Sequence, residues 1–171
     1  TSHIVLVSFL CFSLLTFNSK AQNNALTLNG AYIIMNGGTE AENIKLVVNQ
    51  SSPAGIIRLA EGGHIHSENQ YNIVKWITSI ETGSYIFPFG VGVNSSDYLP
   101  FTFNKTAGNS NVTMSTWGTN QQNSPKPNTS NVGAVTSMLG LTDSIEYAVD
   151  RFWDINANTT TADLTFSYLG S

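Results

Sequence analysis

The 171-residue chain reads as an all-β protein, with an antiparallel β-sandwich of jelly-roll or immunoglobulin-like type as the predicted architecture. Three observations predict it. Short apolar or alternating runs recur at roughly 8–12-residue spacing between Gly, Pro, Asn and Ser turns. Within those runs the apolar residues alternate with period two, which places them on one face of a strand. Apart from a short turn near residues 135–141, no segment of helical length carries a 3.6-residue period.

The elements follow in order. Asn29-Gly30 and Asn36-Gly37 flank "AYIIM", and Asn-Gly is the strongest short hairpin signal because both positions accept positive φ. "IKLVVNQ" (44–50) is a strand, "SSPAG" (51–55) a turn and "GIIRLAE" (55–61) the next strand. Gly62-Gly63 then turns into "HIHSE". "NIVKWIT" (72–78) is apolar on both faces, as a central sandwich strand would be. In "SYIFPFGVGV" (84–93), Tyr85, Phe87, Phe89, Val91 and Val93 share one face, and Pro88 favours an edge or a bulge. "YLPFTFNK" (98–105) returns with Leu99, Phe101 and Phe103 on one face, so the two runs predict an antiparallel pair with a shared aromatic interior. "NVTMSTWG" (111–118) is another strand. A polar loop covers 119–137, and strands at 144–156 and 162–170 complete the set. For the N-terminal half a β-solenoid is the alternative, because short strands and Asn/Gly turns recur there. The absence of a fixed repeat period ranks it second.

Residues 1–21 predict a signal peptide. A near-continuous apolar run ends at "NSKAQ", with Ser19 and Ala21 at the −3 and −1 positions of a cleavage site after Ala21. The run is short for a membrane span. Leu10 before Cys11, and the apolar run beyond it, argue against lipid attachment at that cysteine. The missing start methionine and basic leader predict a clipped N-terminus, and the strand-like ending predicts that 22–171 is a fragment of a longer chain. After cleavage the charge is −5, and the one cysteine has left with the leader. Hydrophobic burial, rather than disulfides, therefore has to hold the fold. Charged residues make up 11%, against about 25% in ordinary domains, with Asn, Ser, Thr and Gly supplying the polarity. An acidic chain without a basic patch predicts no nucleic-acid partner. Without an amphipathic basic helix, no membrane insertion is expected after signal cleavage.

Candidate sites are few. His64, His66 and Glu68 fall on alternate positions, where one strand face could offer three ligands to a metal. The competing reading is a solvated, polar edge strand after a Gly-Gly turn. The balance favours that reading, so no metal and no cofactor is expected. Arg151 shares a face with Trp153, which suits either a carboxylate or sugar ligand or, as the preferred reading, a stem on the indole with the guanidinium on an acid or on loop carbonyls. Asp150 and Asp154 lie about 13 Å apart along a strand, too far for a glycosidase pair. Trp117, beside a glycine near a loop, and Tyr98 are the candidates for glycan contact. The Asn-Ser-Ser-Asp loop at Asp97 lacks a calcium ligand cluster. Six Asn-x-Ser/Thr triplets, at Asn49, Asn94, Asn104, Asn111, Asn128 and Asn158, match the composition. Serine-hydrolase, phosphate-loop and zinc-protease motifs are missing.

The order "LNGAYIIMNGG", "VKW", "FPFG", "RFW" and "LTFSY" resembles the N-terminal β-rich module of secreted Bacteroidota cell-surface proteins of the type IX secretion, gliding-associated kind. Asp143-Ser144-Ile145 is similar to the short O-glycosylation motif of those bacteria. The resemblance covers nearly all of 22–171 and implies a surface or secreted protein without catalytic residues. The expectation is thus a non-catalytic, extracellular structural or adhesive module at the outer cell surface, with surface glycans or other surface proteins as partners. Two alternatives are a carbohydrate-binding module using Trp117 and Tyr98, with His64 and His66, and an accessory module of an enzyme whose catalytic domain lies beyond Ser171.

Overall fold

A computed structural model describes residues 24–60, 62–120, 124–128 and 149–169. The expected signal segment 1–21 with Cys11, the Asp143-Ser144-Ile145 motif, the turn expected near 135–141 and part of the polar loop lie outside the described residues. Those described form eleven strands: β1 Leu26–Leu28, β2 Ile33–Ile34, β3 Ile44–Val48, β4 Ile56–Arg58, β5 Ile65–His66, β6 Asn72–Trp76, β7 Gly83–Phe87, β8 Phe101–Ala107, β9 Val112–Gly118, β10 Arg151–Asn156 and β11 Thr161–Phe166. The protein is all-β, as expected. Two larger sheets, β10-β9-β6-β3 and β11-β8-β7, contribute side chains to one shared core, which is a sandwich arrangement.

The first half departs from the antiparallel expectation. β1 lies parallel to β4, β2 to β5 and β3 to β6. Each strand therefore sits beside the strand three further on, and the chain makes two successive courses. Leu26 pairs with Ile56, 30 residues on; Ile33 with Ile65, 32 on; and Ile44 with Asn72, 28 on. This is solenoid-type winding, the alternative considered for this half. Unequal offsets explain why no fixed period is visible in the sequence. A third course begins on the far side of β5, where Ile65 N–H donates to the Pro88 carbonyl at 2.8 Å and Gly90 N–H to the Ile65 carbonyl at 3.0 Å.

The Asn-Gly signals mark corners, not hairpins. Gly30 and Gly37 have φ of 73° and 93°, the left-handed values such turns need. However, β1 and β2 turn away from each other, and each pairs with the next course. Corners stack as the strands do. Gly30 N–H donates to the Gly62 carbonyl at 2.9 Å, and a Cβ on Gly63 would stand 2.1 Å from the Ala31 carbonyl oxygen. The second glycine of the pair is required by contact as well as by its φ of +91°.

Every strand pairing made by β7 to β11 is antiparallel, including that of β9 with β6. β6 is central, with β3 on one side and β9 on the other, and its alternation buries Asn72, Val74 and Trp76. Tyr85 of β7 pairs with Phe103 of β8, and Phe87 with Phe101, so the predicted aromatic interior forms. Tyr85, Phe87, Phe89 and Phe101 are fully buried. Trp76 crosses from the opposite sheet to meet Tyr85 and Phe87 edge-on, at ring separations of 5.1 and 5.3 Å. Val93 is exposed, because the chain leaves the strand before it. β11 closes the sheet, but its inward residues Leu164 and Phe166 stay exposed, although Phe166 touches Phe101 and Trp153.

Asn72 ties the two courses together. Its side-chain oxygen accepts from Gly38 N–H at 3.0 Å, while its amide donates to the carbonyls of Met35 and Ser67 at 2.9 and 2.7 Å. A Cβ on Gly38 would fall 2.5 Å from that oxygen. Replacement of Asn72 by Ala would leave those backbone groups buried and unpaired. Such groups cost about 1–3 kcal/mol each, so Asn72→Ala is expected to lower stability in urea unfolding by at least about 3 kcal/mol. A loss under ~1 kcal/mol would show that the tie is dispensable.

Candidate functional site

The "GGHIHSENQ" stretch, residues 62–70, does not become a solvated edge strand. β5 is only two residues long, lies between β2 and residues 88–90, and its neighbours His64 and Ser67 are buried with Ile65. His64 and Ser67 are buried and His66, Glu68, Asn69 and Gln70 half-buried, because this stretch joins the winding and antiparallel halves.

His64, His66 and Glu68 go to three different places. His64 Nε2 lies 2.6 Å from the Gly92 carbonyl oxygen. A carbonyl only accepts, so Nε2 carries a proton. The ring meets Tyr32 edge-on at 4.7 Å and fills the space a Cβ on Gly90 would need, 2.1 Å away. His66 has a buried Nδ1 without a hydrogen-bond partner. Glu68 has φ of 42°, which breaks the alternation that would have aligned it with the histidines. Among the described residues, no group of three His, Cys, Asp or Glu side chains converges as a metal site.

Glu68 instead meets Arg151, 83 residues away, at 2.7 Å between Oε1 and Nη2. Its other oxygen accepts from Gly118 N–H at 2.9 Å. Arg151 Nη1 donates to Thr116 Oγ1 at 3.0 Å, and that hydroxyl donates to the Phe152 carbonyl at 2.8 Å. Of the two partners expected for the Arg151 guanidinium, an acid or loop carbonyls, the structure supplies the acid, Glu68. Gln70 extends the junction by donating to Asp154 at 3.2 Å, and Ser115 donates to the Gln70 carbonyl at 2.8 Å. This polar seam runs from the corner after β5 to β9 and β10. Sequence reasoning missed it because neither charge announces a partner so far along the chain.

Trp117 is buried, not exposed as expected. Its indole N–H donates to the Pro125 carbonyl at 2.8 Å, and its ring packs beside Phe152. The loop that seemed to expose it covers it. Trp117 is therefore not available for glycan stacking. Tyr98 is half-buried and lines a groove of about 450 Å³ with Pro53, Ile56, Arg58, Ile86 and Pro88. The Arg58 guanidinium lies over the Tyr98 ring, 3.9 Å from its centre. Burial raises the Tyr98 hydroxyl pKa, against an opposing pull from Arg58. In the neighbouring loop, the Asn94 N–H bonded to Asp97 holds that carboxyl below its ordinary range.

Two further ionisable groups brace the β6–β7 turn. Lys105, on β8, is buried and donates to Thr78 Oγ1 at 3.2 Å and to the Ser79 carbonyl. Burial lowers its pKa, with the Glu81 carboxylate pulling the other way. Tyr85 donates to the carbonyls of Ser51 and Glu81 at 2.7 and 3.1 Å. Burial, then the nearby Glu81 charge, pushes its hydroxyl up from 10.0 to about 12.

The seam lies between the surface and fully buried limits, since the Arg151 and Glu68 side chains are 8% and 25% exposed. Glu68→Gln should cost about 2 kcal/mol, with little relief or worsening between 0.1 and 1 M salt in urea titrations. A cost below ~0.5 kcal/mol would reduce the pair to a surface contact. For Tyr85 the folded value exceeds the unfolded one, so its contribution is complete below pH 10 and is lost as pH rises through about 12. In denaturant unfolding, Tyr85→Phe should flatten the decline of stability across that window. Superimposable slopes would disprove the assignment.

Compared with known proteins, the chain matches no family model, no curated protein and no solved structure.

Proposed function

We propose that this chain is a non-catalytic structural or adhesive module of a secreted or cell-surface protein. The observation that carries the reading is the use made of its polar side chains. Glu68, Arg151, Asn72 and Lys105 are each committed to backbone groups or partners on other elements, and so act as braces. A cysteine-free domain that works outside the cell needs such internal ties to hold its shape. The "NSKAQ" ending of the apolar leader supports export, and the Asn-, Ser- and Thr-rich surface suits display in a hydrated layer. The type IX secretion resemblance is consistent with this location and remains the proposed route.

Surface proteolysis of intact source cells, followed by mass spectrometry, tests the reading. Peptides of this chain should be released from whole cells, and the mature protein should begin at Gln22. Recovery from the cytosolic fraction with residues 1–21 attached would overturn it.

A further inference from the structure

We infer that the groove lined by Arg58 and Tyr98 binds the carboxylate of an acidic sugar, a uronic acid unit of an anionic polysaccharide. The inference rests on the surface-module reading only for access to such polymers. Four observations carry it.

The first is charge. Arg58 is the one charged residue lining the groove, in a chain whose net charge is −4. Among the described residues it has no carboxylate partner, whereas Arg151 has Glu68. The nearby acid Asp97 is engaged by Asn94. A guanidinium without a carboxylate partner among the described residues, in an acidic protein, favours an anion over a neutral or cationic ligand.

The second is geometry. Arg58 Nε donates to the Gly63 carbonyl at 2.8 Å, and Tyr98 supports the guanidinium plane. Nη1 and Nη2 have no hydrogen-bond partner among the described residues. Nη2 packs against the buried Gly62, where a Cβ would stand only 3.0 Å away. A guanidinium fixed at Nε, with terminal nitrogens that no described residue hydrogen-bonds, presents the planar fork that pairs with a carboxylate. Tyr98 is a positioning residue here: it holds the cation and is not itself a sugar platform.

The third is the wall chemistry. Pro53, Ile56, Ile86 and Pro88 give an apolar surface, suited to the C–H face of a pyranose ring. The fourth is size. At about 450 Å³, the groove falls within the range of small-ligand sites and suits one or two sugar rings.

The test is titration of the ¹⁵N-labelled full chain with trigalacturonate, followed by backbone shifts and the Arg58 Nε–H signal. Shifts confined to the groove are expected, with a dissociation constant of ~1 mM that weakens with salt. Arg58→Gln should weaken binding at least about tenfold. Because that change removes the Gly63 tie, Ile86→Glu serves as the second variant. Ile86 is 46% exposed, so the added acid repels the ligand without disturbing the core, and a similar loss is expected. No shifts at 20-fold ~1 mM ligand, unchanged binding by folded Ile86→Glu, or an equal response to a neutral or sulfated trisaccharide would each overturn the inference. Cytosolic recovery of the chain would defeat the surface reading alone, whereas a silent titration of a surface-displayed chain would defeat the groove alone.

Discussion

Everything in this fold depends on satisfying the backbone at the corners of a parallel winding. A hairpin needs little beyond its own turn, because its two strands supply each other's hydrogen bonds. A parallel pair without an intervening helix must bring the chain around through irregular segments whose polar groups become buried. Here Asn72 takes the corner beginning at Met35 and the corner after β5 in a single grip. It does so from β6, the strand shared between the parallel and antiparallel halves. Local backbone satisfaction and global assembly thus meet in one side chain.

The seam between Glu68 and Arg151 follows the same logic at larger scale. In a chain so poor in charge, an ion pair joining residues 83 apart fixes how β9 and β10 lie against the winding. Apolar packing of Trp76 on Tyr85 and Phe87 supplies attraction but tolerates sliding. Hydrogen bonds from Gly118, Arg151 and Thr116 set the register. Glu68 and Arg151 are thus engaged with each other, while Arg58, which has no carboxylate partner among the described residues, lines the open groove.

Strand identity was legible where alternation was strong. Tyr85 to Phe89 and Leu99 to Phe103 read correctly as a facing pair, because a period of two with aromatic content has one good explanation. Pairing partners in the first half were not legible. Asn29-Gly30 reports the left-handed turn it makes, but a turn's backbone does not say whether the next strand folds back or moves on to another course. His64 and Glu68 misled for a related reason: alternation places side chains on a face only while the strand persists, and this one ends at His66. Trp117 looked exposed because a polar loop follows it, yet the loop's Pro125 carbonyl receives its indole. Of the residues expected at a ligand surface, Tyr98 lines a groove, whereas Arg58 drew no attention in a strand that seemed merely apolar.

The two courses also differ in a way that bears on how such a chain can change over time. In the first course the corner before β3 runs through residues 35–43; the equivalent corner of the second course needs only 67–71. Both deliver the next strand in register. The longer one carries a solvent-facing stretch around Thr39 to Glu42 that is closed by its own hydrogen bonds. Extending a loop costs little, about 0.6 kcal/mol for each doubling of its length. That corner is the natural grafting point of the molecule, where new sequence can be acquired or an epitope inserted while the strands beneath it keep their places.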